Sequence, residues 1–166
     1  KAVALAIHDT LATETYGISI KWPNDMYFEN KKLAGVLIEN VLGGNRILQS
    51  IVGIGINVNQ KLFDENLPNP VSLIQITGRE TDLSQLLATL CSQIEKYYLQ
   101  LRSHQFTTID ALYHHYLLKH QQENQFIINN ELITAIIIGV SAGGKLILST
   151  ADKKMELAVG EVEWVL

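Results

Sequence analysis

The chain reads as an α+β protein: a mixed β-sheet with helices packed on it, followed by a small all-β region. Three observations carry that reading. Apolar residues recur at i, i+3 and i+4 spacing from Leu83 to Leu101, the mark of a long amphipathic helix. Two strand-like apolar runs, Leu33–Leu42 and Ile51–Val58, flank Gly43-Gly44-Asn45, a hairpin signal. From about residue 120, short β-like runs alternate with turn residues, as in a small barrel or sandwich.

The elements follow in order. Lys1–Thr15 places Val3, Ile7 and Leu11 at helical spacing, with Gly17 as its stop. Ile18–Ile20 is a short alternating run. Trp22-Pro23-Asn24-Asp25 is a turn, because Pro23 fixes its own φ, biases Trp22 toward extended backbone, and is followed by two residues that bond to nearby backbone. Lys31 and Lys32 open the run that ends at Leu42. Residues 60–70, with Pro68 and Pro70, form a loop, and 71–77 a short helix. Thr81 or Asp82 caps the long helix. Its stripe of Leu83, Leu86, Leu87, Leu90, Ile94, Tyr97, Tyr98 and Leu101 belongs in a core. A second helix buries Ile109, Leu112, Tyr113, Tyr116 and Leu117. Four strands close the chain, Phe126–Ile128, Leu132–Val140, Lys145–Ser149 and Met155–Val159, with turns at Asn129-Asn130, Gly143-Gly144 and Asp152-Lys153.

Composition bounds the function. Of 166 residues, 47% are hydrophobic and 18% charged, the balance of a folded globular chain. A net charge of −4 offers no basic field for nucleic acid. The lone Cys91 cannot form an intrachain disulfide, no signal sequence is evident, and no apolar run reaches membrane-spanning length. A cytoplasmic protein is expected.

Three segments hold the chemistry. On an ideal strand Val52, Ile54, Ile56 and Val58 share one face, and Gly53, Gly55, Asn57 and Asn59 the other. Glycine weakens a strand unless something approaches its backbone, so a ligand, a bulge or a tight helix contact would each explain Gly53 and Gly55. Lys32 is a compact cation suited to carboxylate or phosphate oxygens, or simply half of a solvated edge pair with Lys31. Lys32 and Gly35 fall on opposite faces of a regular strand, so only a bulge or kink would bring both to one ligand. Glu39 is either a partner for a lysine or a surface residue. His114, His115 and His120 lack the i, i+4 spacing and the carboxylate or Cys companions of a metal site, and no metal site is assigned to them.

The run KWPNDMYFENKKLAGVLIE followed by GIGINVN resembles the catalytic core of biotin–protein ligases, in that family's order and spacing, over Ile18–Asn59. The tail, through Ile138-Gly139-Val140, Gly144-Lys145-Leu146 and Gly160-Glu161-Val162, resembles the family's C-terminal domain. The resemblance implies a class II synthetase-like core at 1–119, part of a ligase catalytic domain, and a small SH3-like β-barrel at 120–166. It implies a two-step reaction: ATP and biotin form biotinyl-5′-AMP, and a lysine of a biotin carboxyl carrier protein then takes the biotin. By matched position, Lys32 is the catalytic cation and contacts biotin, Gly35, Gly53 and Gly55 are the backbone approaching biotin, and Lys21, Trp22, Asn24, Asp25 and Asn57 lie on the nucleotide side. Mg²⁺ is expected with the nucleotide, with Asp25 a candidate to help hold it. The family's glycine- and arginine-rich loop is not found in these residues, whose arginines are Arg46, Arg79 and Arg102. A fragment with weak or no activity by itself is therefore expected. Relatives pair sheets edge to edge, which makes Arg46–Val58 a candidate homodimer edge. A lipoate ligase or octanoyl transferase, and a non-catalytic binding or dimerisation module, are the alternative readings.

Overall fold

A computed structural model describes residues 1–44 and 46–165. In chain order the elements are α1 (Ala2–Leu11), β1 (Ile18–Lys21), β2 (Asp25–Phe28), β3 (Lys31–Gly43), β4 (Arg46–Ile56), α2 (Leu73–Thr77), α3 (Leu83–Arg102), α4 (Phe106–His115), β5 (Glu123–Ile128), β6 (Glu131–Val140), β7 (Leu146–Ser149), β8 (Lys154–Leu157) and β9 (Glu163–Trp164). They form two sheets, β1-β2-β3-β4 and β8-β7-β6-β5-β9. Every strand pair is antiparallel, which corrects the expectation of a mixed sheet. Short turns join the strands of the first sheet, and such turns force antiparallel pairing. Parallel pairing occurs as the isolated bridges Ile20–Leu117, Lys32–Pro70 and His120–Ile137.

The expected α1 stops at Leu11 rather than Thr15. The Thr10 and Thr13 hydroxyls donate to the carbonyls of Ala6 and Thr10, and such local bonds compete with helix continuation. Gly17 then turns the chain into β1 at φ +78°. The β3–β4 turn falls where Gly43-Gly44-Asn45 predicts it, although Asn45 lies outside the described residues. Ser72 and Gln75 close a capping box on α2, and the Asp82 carboxylate accepts from the Ser84 and Gln85 amides to start α3. The stripe expected to be buried on α3 is buried at Leu86, Leu90 and Tyr97 and half-buried at Ile94, while Leu83, Leu87, Tyr98 and Leu101 remain exposed. Periodicity marks which face is apolar, and the elements packed on α3 here reach only part of it. The β9 strand went unforeseen, because two residues carry no period.

One apolar cluster runs through both sheets, from Leu5, Ile20 and Met26 to Phe126, Ile137 and Leu148. The segment after α4 binds the halves together. Ile20 N–H donates to the Tyr116 carbonyl and Leu118 N–H to the Ile20 carbonyl, both at 2.8 Å. Gln121 N–H donates to the Ile137 carbonyl at 2.9 Å, and Val140 N–H donates to His114 Nε2 at 2.9 Å. That bond assigns Nε2 of His114 as an acceptor and the ring as neutral. Trp22 adds a tether: it is 3% exposed, and its Nε1–H donates to the Gly144 carbonyl at 2.9 Å. Among the described residues no helix is long and apolar enough to cross a membrane.

Burial holds the pKa of His8 and of His114 below the ordinary imidazole value, against weaker upward pulls from Asp9 on His8 and from Asp110 on His114. Each ring is thus harder to protonate folded than unfolded. Stability is complete above about pH 6.5 and is lost as pH falls through the lowered folded-state values. Urea denaturation should show a lower midpoint at about pH 5.5 than at about pH 7.5. An unchanged midpoint would mean that neither ring is held neutral by the fold.

Candidate functional site

The site begins with a one-residue irregularity. Tyr27 of β2 pairs with Lys32 of β3, and the next pair along is Met26 with Ala34. Leu33 has no partner across the strand, so β3 carries a bulge there. The extra residue resets the alternation, and Lys32 and Gly35 come to the same face. Leu33 and Ala34, at 0% and 1% exposure, turn into the core.

The pairing then lines up one cross-strand row: Lys21 opposite Asp25, Asp25 opposite Gly35, and Gly35 opposite Gly55. Lys32 lies back over this row. Its Nζ is 2.8 Å from Asp25 Oδ1, and a Cβ on Gly35 would stand only 3.2 Å from Lys32 Cε and from Asp25 Oδ1. Gly35 is therefore small because the ion pair occupies its space. Gly55 differs. No atom lies within 4 Å of where its Cβ would be, and pairing around it is regular. Neither a bulge nor a packed helix explains Gly55, and the floor above it is open.

Lys32, Gly35, Gly55 and Asn57 line one groove of about 440 Å³. Gln60, Phe63, Leu67, Pro68 and Pro70 from the 60–70 loop form its mostly apolar wall. The loop returns onto Lys32 itself: Lys32 N–H donates to the Asn69 carbonyl at 2.8 Å, and Val71 N–H donates to the Lys32 carbonyl at 2.9 Å. Asn57 Nδ2 donates to the Val71 carbonyl at 3.1 Å, which ties the end of β4 into the same knot. Gly53 shares the face of Gly55 but stands opposite Leu37, beyond the groove.

Lys21 and Trp22 line a second groove, where the first sheet meets the tail, with Tyr27, Pro68, Asn69 and Trp164 among its other walls. Lys21 Nζ lies 5.2 Å from the Tyr27 ring centroid and 5.3 Å from that of Trp164. Burial lowers the Lys21 pKa, with Asp25 opposing and Lys32 reinforcing that shift. Asn24 lines neither groove. Its Nδ2 donates to the Val36 carbonyl at 2.5 Å and its own carbonyl accepts from Val36 N–H, so it fastens the turn to β3. Asp25 likewise reaches the groove only through Lys32. Glu39 is exposed on β3 opposite Ile51. Among the described residues no three His, Cys, Asp or Glu side chains cluster as metal ligands.

Sequence reasoning missed the Phe63, Leu67 and Tyr27 walls and Trp164. Loop residues have no period, and Trp164 reaches Lys21 only through tertiary folding. The prolines and the position of the loop just after the glycine strand were the available signal.

Residues 2–57, which contain the ion pair and both groove glycines, match the model of the "Biotin/lipoate A/B protein ligase family". The chain is also 30% identical, over 98% of its length, to the Bifunctional ligase/repressor BirA of Bacillus subtilis. Residues 2–57 thus match the biotin/lipoate A/B protein ligase family, and the chain as a whole resembles ligases of that kind. It covers 50% of that BirA. The Biotin--[acetyl-CoA-carboxylase] ligase of Paracoccus denitrificans is 30% identical over 64% of this chain and 47% of its own. A solved structure, the biotin protein ligase from Aquifex aeolicus in complex with biotin and ATP, superposes with a TM-score of 0.79 at 29% identity, over 98% of this chain and 68% of that one. The chain spans about half the length of the curated relatives it matches.

The open floor at Gly55 has a consequence for stability. Gly55→Ala should leave the fold as stable as before or raise stability by about 0.4–1 kcal/mol, since alanine restricts the unfolded chain and meets nothing in the folded one. Denaturant titration measures this. A marked loss would reveal a packing role for Gly55.

Proposed function

We propose that this chain takes part in ATP-dependent biotinylation: biotin and ATP form biotinyl-5′-AMP, and a carrier-protein lysine then receives the biotin. One observation carries the reading, the bulge at Leu33 that sets a lysine beside two bare glycines in a groove with an apolar wall. Such a groove suits biotin, whose thioether ring and alkyl chain are apolar and whose carboxylate is anionic. Lys32 is the cation beside the reacting carboxylate and the α-phosphate, where negative charge builds. Gly55 lets the ligand lie against backbone, and Gly35 lines the same groove while giving its own space to the Lys32–Asp25 pair, with Gly53 further along the strand of Gly55 and Asn57 at the groove's end. Lys21 and Trp22, beside the second groove, mark the nucleotide side, with Asn24 shaping the turn that carries them. Holding both reactants in line contributes about 7–11 kcal/mol in well-aligned systems. Mg²⁺ would arrive with the nucleotide phosphates and take few ligands from this chain, since Asp25 is already paired with Lys32.

On this reading residues 1–119 belong to the catalytic domain, residues 120–166 form the family's small SH3-like barrel, and the protein works in the cytoplasm. β4 is the free edge of its sheet among the described residues. That edge supports a second element of the proposal, a homodimer joined strand to strand, and light scattering at increasing concentration tests it.

Calorimetry separates the candidate ligands. The chain should bind a non-hydrolysable biotinyl-adenylate analogue and prefer biotin to lipoate, whereas a preference for lipoate would move the reading to the lipoate branch. Lys32→Ala should weaken the analogue by about tenfold or more. Its stability should fall by no more than about 1 kcal/mol, the range of a partly exposed ion pair such as Lys32–Asp25. Gly55→Val should abolish binding while keeping the strand, which valine favours. Undiminished binding by both variants would refute this site.

A further inference from the structure

We propose that Asp25 is a positioning residue for Lys32: its carboxylate holds the ammonium over the glycine floor before ligand arrives, leaving N–H donors free for the ligand's anion. The inference rests on the ligase reading and adds a role for Asp25 apart from nucleotide or metal. Three features support it. Asp25 and Lys32 are brought together across the strands by the same bulge, so the pair is built into the backbone register. The carboxylate is more buried than its partner, with side-chain exposures of 16% for Asp25 and 41% for Lys32, so the buried group is the anchor and the exposed one is held. Finally, Gly35 supplies the space in which both side-chain ends meet, and any side chain there would crowd the pair.

The chemistry leaves capacity for a ligand. An ammonium carries three donors, and Asp25 Oδ1 takes one at 2.8 Å. A lysine stem left unanchored would sample many rotamers and lose that freedom on binding. Asp25 removes that cost in advance. Its own charge is largely neutralised by the ammonium it touches, so losing the anchor outweighs losing a repulsive carboxylate. Lys21, opposite Asp25 on β1, adds a second positive charge to the row, while the nearby Tyr27 ring is uncharged. The cross-strand row therefore stays net positive with the pair intact.

The test compares the parent chain with Asp25→Asn and Asp25→Glu. Amine acetylation with an N-hydroxysuccinimide ester, followed by mass spectrometry, reads how tightly each lysine is held. In Asp25→Asn, Lys32 should label at least about threefold faster. Lys96, which pairs with Asp9 elsewhere, serves as the internal control for folding and should not change. Asp25→Glu should restore slow labelling at Lys32. Affinity for the biotinyl-adenylate analogue should fall about fivefold or more in Asp25→Asn and recover in Asp25→Glu. Equal Lys32 labelling in parent and Asp25→Asn overturns the proposal, and so does equal or tighter analogue binding by Asp25→Asn. The labelling needs no ligand. Failure of the parent chain to bind the analogue would therefore overturn the ligase reading, while the labelling contrast still decides the anchoring.

Discussion

Everything at the groove depends on a single unpaired residue. With Leu33 paired, β3 would alternate regularly, and Lys32 and Gly35 would face opposite sides of the sheet. Its omission from the ladder gathers cation, carboxylate and bare backbone on one face, and drives two consecutive apolar side chains, Leu33 and Ala34, into the core. A bulge costs ladder hydrogen bonds, and here the burial of Leu33 helps to offset that cost.

The two groove glycines are small for different reasons. The Gly35 site is filled by its own protein, through the crossing of Lys32 and Asp25, whereas the Gly55 site is filled by nothing. Substitution tolerance therefore has a separate physical origin at each. At Gly35 a side chain competes with an ion pair and at Gly55 only with whatever enters the groove. The loop that walls the groove is anchored by backbone bonds on both sides of Lys32, so the wall and the cation move together.

Strand-level features could be read from residues alone. The alternation Val52, Ile54, Ile56 against Gly53, Gly55 survives intact, with the aliphatic set packed on the core and the glycines exposed. The cap at Asp82 was readable as one of two candidates with Thr81, because capping is local chemistry, whereas the Ser72 cap went unforeseen. What eluded sequence reasoning was relational. A bulge is defined by the partner strand, and nothing in the order Lys32-Leu33-Ala34-Gly35 states which residue goes unpaired. Burial of α3 failed similarly, since a leucine at Leu87 looks the same whether or not another element lies on it. Asn24 and Trp22 illustrate a further limit. Both sit in the family's motif, yet their polar atoms are engaged with Val36 and Gly144 backbone, so motif membership alone does not separate contact from scaffold.

The Trp22 tether has an implication for how the molecule holds together. The indole belongs to the turn that carries the lysine and carboxylate row, but its hydrogen-bond acceptor is a carbonyl almost at the opposite end of the polypeptide. Excising the last strands would therefore do more than trim an appendage: it would strand a large buried aromatic in water and loosen the corner from which the first sheet is hung. The tail is thus a keystone for the groove, although no described tail residue lines that cavity.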